Sequence, residues 1–141
     1  MSKYGDTALR AVELAMTTGC TASDAWNAAA SEMFANSPSS QEKVCPREAF
    51  LGLVDASLIV GLNPEAVTTN RAGVNREYVV AAAKLLISNP ALADSGPAQL
   101  WRTTLATVGA DLDKVHNRQM DVVLALWEAG RIVRTRQSFL K

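Results

Sequence analysis

The side chains best placed for chemistry lie in residues 39–50, SSQEKVCPREAF. Pro46 suits the first position of a helix, because the N–H it lacks would have no intrahelical partner there. That reading puts Cys45 at the N-cap, where unpaired N–H groups and the helix dipole favour negative charge. Lys43 and Arg47 stand within two residues of it. Both effects favour the thiolate, which is the nucleophilic form. The same geometry would hold a phosphate or carboxylate, with Ser39 and Ser40 as further donors. The third reading is a small apolar Cys45 tucked under the preceding loop, since free cysteine is among the most buried residue types. Sequence leaves all three open.

The second stretch is HNRQMD at 116–121, which holds His116, the sole histidine. Any Cys–His nucleophilic pair must join it to Cys45 or Cys20. Asn117 or Asp121 would then orient the ring, as the third member of such a set does. Without that meeting, His116, Asn117, Arg118 and Asp121 make a polar binding patch.

Other chemistries lack parts. The glycines are isolated, so no GxGxxG or Walker loop exists, and no cofactor is expected. There is no CxxC, and two cysteines with one histidine fall short of the four ligands of a structural zinc, so no metal is expected. Asp111 and Asp113 read as acids before a helix rather than as an acid–base pair. Trp26, Trp101 and Trp127 each fall on an apolar face and read as core. A nucleic-acid reading would use Thr69, Asn70, Arg71, Asn75 and Arg76 at the start of a helix. An isoelectric point of 6.6 and an acidic Glu77 beside them argue against it, so nucleic acid is not the expected partner.

The elements that position these residues are helical. Twenty-three alanines raise helix propensity, and neither alternating β-branched runs nor Asn-Gly or Asp-Gly turns are present. A first helix is predicted over 3–17, with Leu9, Val12 and Met16 as its stripe and Gly19 as its stop. The next is capped by Thr21, with Asp24 in its first turn and Trp26, Ala29, Ala30 and Met33 on one face, and a polar loop at 36–40 breaks it. A third follows Pro46, carries Phe50, Leu51, Leu53, Val54 and Leu58, and runs until Gly61. A turn at 63–65 and a polar loop at 68–73 lead to a helix over 75–88, packed through Val79, Ala83 and Leu86. Ser95 and Pro97 open another, with Trp101, Leu105 and Val108 inward and Gly109 closing it. The last, over 113–129, reads as amphipathic through Met120, Val123, Leu124 and Trp127. The expected fold is all-α, a compact single-domain bundle of five to six helices over 1–130, with a basic tail at 131–141.

With 48% hydrophobic and 20% charged residues in 141, the chain is long enough for one core and not disordered in composition. No apolar run approaches the roughly 20 residues of a membrane span. No apolar segment follows Met1, so no secretory signal is expected and the cytoplasm is the expected compartment. There the two cysteines are expected to stay free thiols. Fourteen basic and fourteen acidic residues cancel, yet residues 1–65 hold four against eight, a net of −4, and 66–141 hold ten against six, a net of +4. That split fits either a contact between halves or subunits, or a solvated tail carrying Arg131, Arg134, Arg136 and Lys141.

Ser40, Gln41, Lys43, Cys45–Arg47 and the following AFLGL, together with HNRQMDVVLALW from His116, resemble blocks of an uncharacterised family of small bacterial proteins. KYG at Lys3 and AVEL at Ala11 extend that resemblance over most of the chain. It implies a bacterial cytoplasmic origin, on a mobile gene cassette, and no mechanism. The function expected is a non-enzymatic module that self-associates or docks another protein. The alternatives are a cysteine-dependent enzyme or anion site at Cys45, and a nucleic-acid-binding domain.

Overall fold

A computed structural model describes residues 3–41, 44–62, 72–114 and 118–133, the side chains of 40, 41, 44 and 72–75 excepted. Helices α1 (Lys3–Thr18), α2 (Ala22–Met33), the short α3 (Pro38–Gln41), α4 (Val44–Asp55), α5 (Ala72–Ser88), α6 (Gly96–Val108) and α7 (Gln119–Glu128) follow in chain order, with a 3₁₀ turn at Pro90–Ser95. Six of them are ten residues or longer, as an all-α bundle requires. Among the described residues the sole β pairing is one antiparallel bridge, Ile59 to Ile132. No helix among them is long and apolar enough to cross a membrane.

α1 and α2 form an antiparallel hairpin. Gly19 ends α1 at φ +74°, a left-handed conformation that glycine adopts without steric cost, and its N–H reaches Ala15 O at 3.0 Å. Thr21 then caps α2 by accepting the Asp24 N–H at 3.1 Å. At the far end Arg10 bridges Glu32 at 3.0 Å and also Glu13. Those hydrogen bonds, Glu32's foremost, raise the guanidinium pKa above its ordinary value. The buried face of α1 is Ala8, Ala11, Val12 and Ala15. The predicted stripe is therefore rotated: Leu9 is half-buried and Met16 is 48% exposed. Alanines let α1 lie close, and the longer side chains sit at the flank.

α7 is the centre of the bundle, touching α1, α4, α5 and α6. Every residue from Gln119 to Trp127 is buried, so the predicted amphipathic helix is enclosed all round. Gly5 sets how closely α1 approaches it: a Cβ there would stand 2.8 Å from Ala125 Cβ and 3.2 Å from Asp121 O. α7 also begins later than residue 113. Asp111 Oδ1 accepts the Asp113 N–H at 2.9 Å, and Trp101 Nε1 donates to Lys114 O at 2.9 Å. A side-chain turn and an indole thus occupy backbone groups that a helix would have used.

α4 ends at Asp55, six residues before Gly61. Ser57 takes φ +62°, and Leu58 N–H returns to Leu53 O at 3.0 Å, the 6→1 closure of a Schellman motif with serine in the glycine position. Leu58 is fully buried, but from beyond the helix. Residues 131–133 then clamp this segment, with Val60 N–H on Arg131 O at 2.7 Å and Val133 N–H on Leu58 O at 2.9 Å. The core reaches Ile132, which is 1% exposed. α5 begins at Ala72, three residues earlier than predicted. The predicted turn at 63–65 and the loop up to 71 lie outside the described residues.

Candidate functional site

The region around Cys45 differs from the predicted N-cap. α4 starts at Val44, so Cys45 is its second residue, half-buried, and Pro46 is its third. Two residues on, Arg47 turns toward α2, donating from Nη2 to Ser23 Oγ at 2.5 Å and from Nε to Asn27 Oδ1 at 3.4 Å. Positions two apart on a helix are about 200° apart round its axis. Arg47 is thus a staple between α4 and α2. Ser39 is exposed on α3, while the Ser40 side chain and Lys43 lie outside the described residues.

The side chain one turn from Cys45 is Glu48, which the sequence reading did not single out. It is 2% exposed, and its Oε2 has no hydrogen-bond partner among the described residues. Its signal was its position: Glu48 precedes Leu51 by one turn on the inward face of α4. The first turns of α4 thus carry a half-buried thiol and, three residues on, a buried acidic side chain.

In the second stretch, His116 and Asn117 lie outside the described residues. Asp121 is buried on α7 and pairs with Arg118 Nη1 at 3.5 Å. Arg118 holds φ +72°, a left-handed conformation unusual for a residue with a Cβ. Both border an open groove of about 430 Å³ against the start of α6, with Gly96, Pro97, Leu124 and Glu128. A pair of opposite charges beside aliphatic side chains can bind polar groups.

Of the nucleic-acid candidates, residues 69–71 and the Asn75 side chain lie outside the described residues. Arg76 Nε stands 3.0 Å from Asp55 Oδ2, an ion pair without hydrogen-bond geometry, and this joins α5 to α4. Trp26, Trp101 and Trp127 are all buried, as predicted. Among the described residues no three His, Cys, Asp or Glu side chains gather to hold a metal.

A more apolar concavity than the groove beside Asp121 lies along the outer face of α5. Val80, Ala81 and Leu85 from α5 and Val108 from the end of α6 line an open groove of about 390 Å³. Glu77 and Lys84 stand on the same helix at its edges, both exposed. Among the described residues neither forms an ion pair. Sequence reasoning passed over this face because Val79, Ala83 and Leu86 pointed inward so plainly.

Residues 1–133 match the DUF6979 family, a family of unknown function. The chain belongs to that family. Neither a curated protein nor a solved structure shows a significant match to it. For this DUF6979 member, the arrangement of its own side chains is what bears on function.

Proposed function

We propose that this DUF6979 protein is a non-enzymatic interaction module that docks another protein chain in the groove between α5 and α6. The observation that carries it is the pairing of an aliphatic floor, Val80, Ala81, Leu85 and Val108, with two exposed, unspent charges at its edges. Helix-in-groove recognition needs that combination: aliphatic anchors exclude water, and edge charges set direction. The sequence supports a cytoplasmic, bacterial setting for it, and the domain itself extends at least to Ile132, which is part of the core.

A photo-reactive side chain at Ser88, on the same face, tests this reading in cells. It should yield adducts with a protein of defined mass, and Ala81→Arg, which fills the groove with a charged chain, should remove them. The same reactive group at Glu13 on α1 should yield no such adduct. No adduct from Ser88, or one indifferent to Ala81→Arg in a variant of unchanged helicity, contradicts the proposal.

A further inference from the structure

We infer that the chain seated on the α5 groove is a second copy of this protein, packed antiparallel across a two-fold axis between Val80 and Ala81. The inference rests on the docking role proposed for the groove and names its occupant.

The exposed face of α5 reads the same in charge-complementary form from either end. Glu77 and Lys84 are seven residues apart, two helical turns, so they share a face about 10.5 Å apart along the axis. Val80 and Ala81 lie midway between them, half-buried at the groove floor. An antiparallel two-fold through that midpoint sets Glu77 against the partner's Lys84 and Lys84 against the partner's Glu77. It also lays Val80 on the partner's Ala81, a large residue on a small one, as interdigitating layers need. Both charges are exposed, and neither has an ion-pair partner among the described residues, so no internal contact must break to make these pairs. An unrelated helix would have to supply both charges at this spacing and in opposed order; a second α5 carries them already. The result is an isologous contact, in which each substitution acts twice.

One helix face buries less than the roughly 800 Å² per partner of a standard stable interface, so the dimer is expected to be a weak, concentration-dependent one. Sedimentation equilibrium up to submillimolar concentration is therefore the measurement, with circular dichroism to verify each variant's fold. The wild-type protein should dimerise, more weakly as salt rises. Glu77→Lys and Lys84→Glu should each weaken dimerisation at least about tenfold, because two attractions become two repulsions. The double variant Glu77→Lys/Lys84→Glu should recover it. An equimolar mixture of the two single variants should associate better than either alone, since a basic face then meets an acidic one.

A wild-type protein that stays monomeric throughout, or single variants that dimerise as the wild type does, overturns the inference. A Ser88 adduct with a different protein, removed by Ala81→Arg, beside a monomeric wild type sinks this inference and leaves the docking reading standing. No adduct of any kind sinks both.

Discussion

The first turn of α4 and the outer face of α5 carry similar residue types, and the bundle uses them in opposite ways. At α4, Arg47 is committed to Ser23 and Asn27 of α2, and Glu48 is buried with an orphan oxygen. At α5, Glu77 and Lys84 stay exposed and unpaired among the described residues, above an aliphatic floor. At the start of α4 the described arginine holds two helices together, whereas the α5 face that looked ordinary on sequence is open among the described residues. A charge held by an internal partner is not available to a ligand; an exposed one beside aliphatic surface is.

Perturbing packing at α4 gives the largest effect. Gly52 lets α5 approach so closely that a Cβ would stand 2.9 Å from Arg76 Cα. Backbone cannot swing aside as a flexible side chain does, so Gly52→Ala is expected to destabilise by about 1–3 kcal/mol in urea unfolding. Unchanged stability would mean that α4 and α5 lie farther apart. Next in size is Glu48→Met, which replaces a buried acidic side chain, one of whose oxygens lacks a partner among the described residues, with an apolar chain. It should stabilise by about 1–2 kcal/mol, and a loss instead would show that Glu48 has a partner of its own.

The comparison sharpens with Arg47→Ala against Lys84→Ala. The first removes two inter-helix hydrogen bonds and should cost about 1 kcal/mol, while the second should stay within about 0.5 kcal/mol. Equal effects would erase the distinction between the two regions. The smallest perturbation is a cross-link. Ser23 meets Arg47, and the Trp26 and Phe50 ring centroids lie 5.4 Å apart, so α2 and α4 run in the same sense with an offset of 24 residues. In that register Cys45 and Cys20 both lie at the N-terminal ends of the two helices, at the same end of the bundle. A short bifunctional thiol reagent should therefore join Cys20 to Cys45 within one chain, read by peptide mass, with helicity unchanged. Products joined only between chains would refute the parallel register.

Local signals carried much of the fold. The Thr21 cap, the Gly19 and Gly109 stops and the inward Phe50, Leu53 and Val54 need only near neighbours, and each stands where the sequence put it. Failures came where a distant partner decides. The indole of Trp101 claims the Lys114 carbonyl and delays α7, and four neighbouring helices bury α7 on every side. Serine at position 57 takes a left-handed turn that no residue code announces, and ends α4 early. The site followed the same rule. Arg47 beside Cys45 in sequence suggested a pair, but three-dimensional proximity gave the arginine to α2. The α5 face was written in the sequence as Glu77, Val80, Ala81 and Lys84, and only the packing of the opposite side showed that nothing in the described chain covers it.

One paired measurement tests the central claim most directly: sedimentation of Cys45→Ala beside Ala81→Arg, both checked for folding. The account predicts that Cys45→Ala associates as the wild type does and that Ala81→Arg is monomeric. Association lost with Cys45→Ala and kept with Ala81→Arg would contradict it, and would move the working surface from α5 to the start of α4.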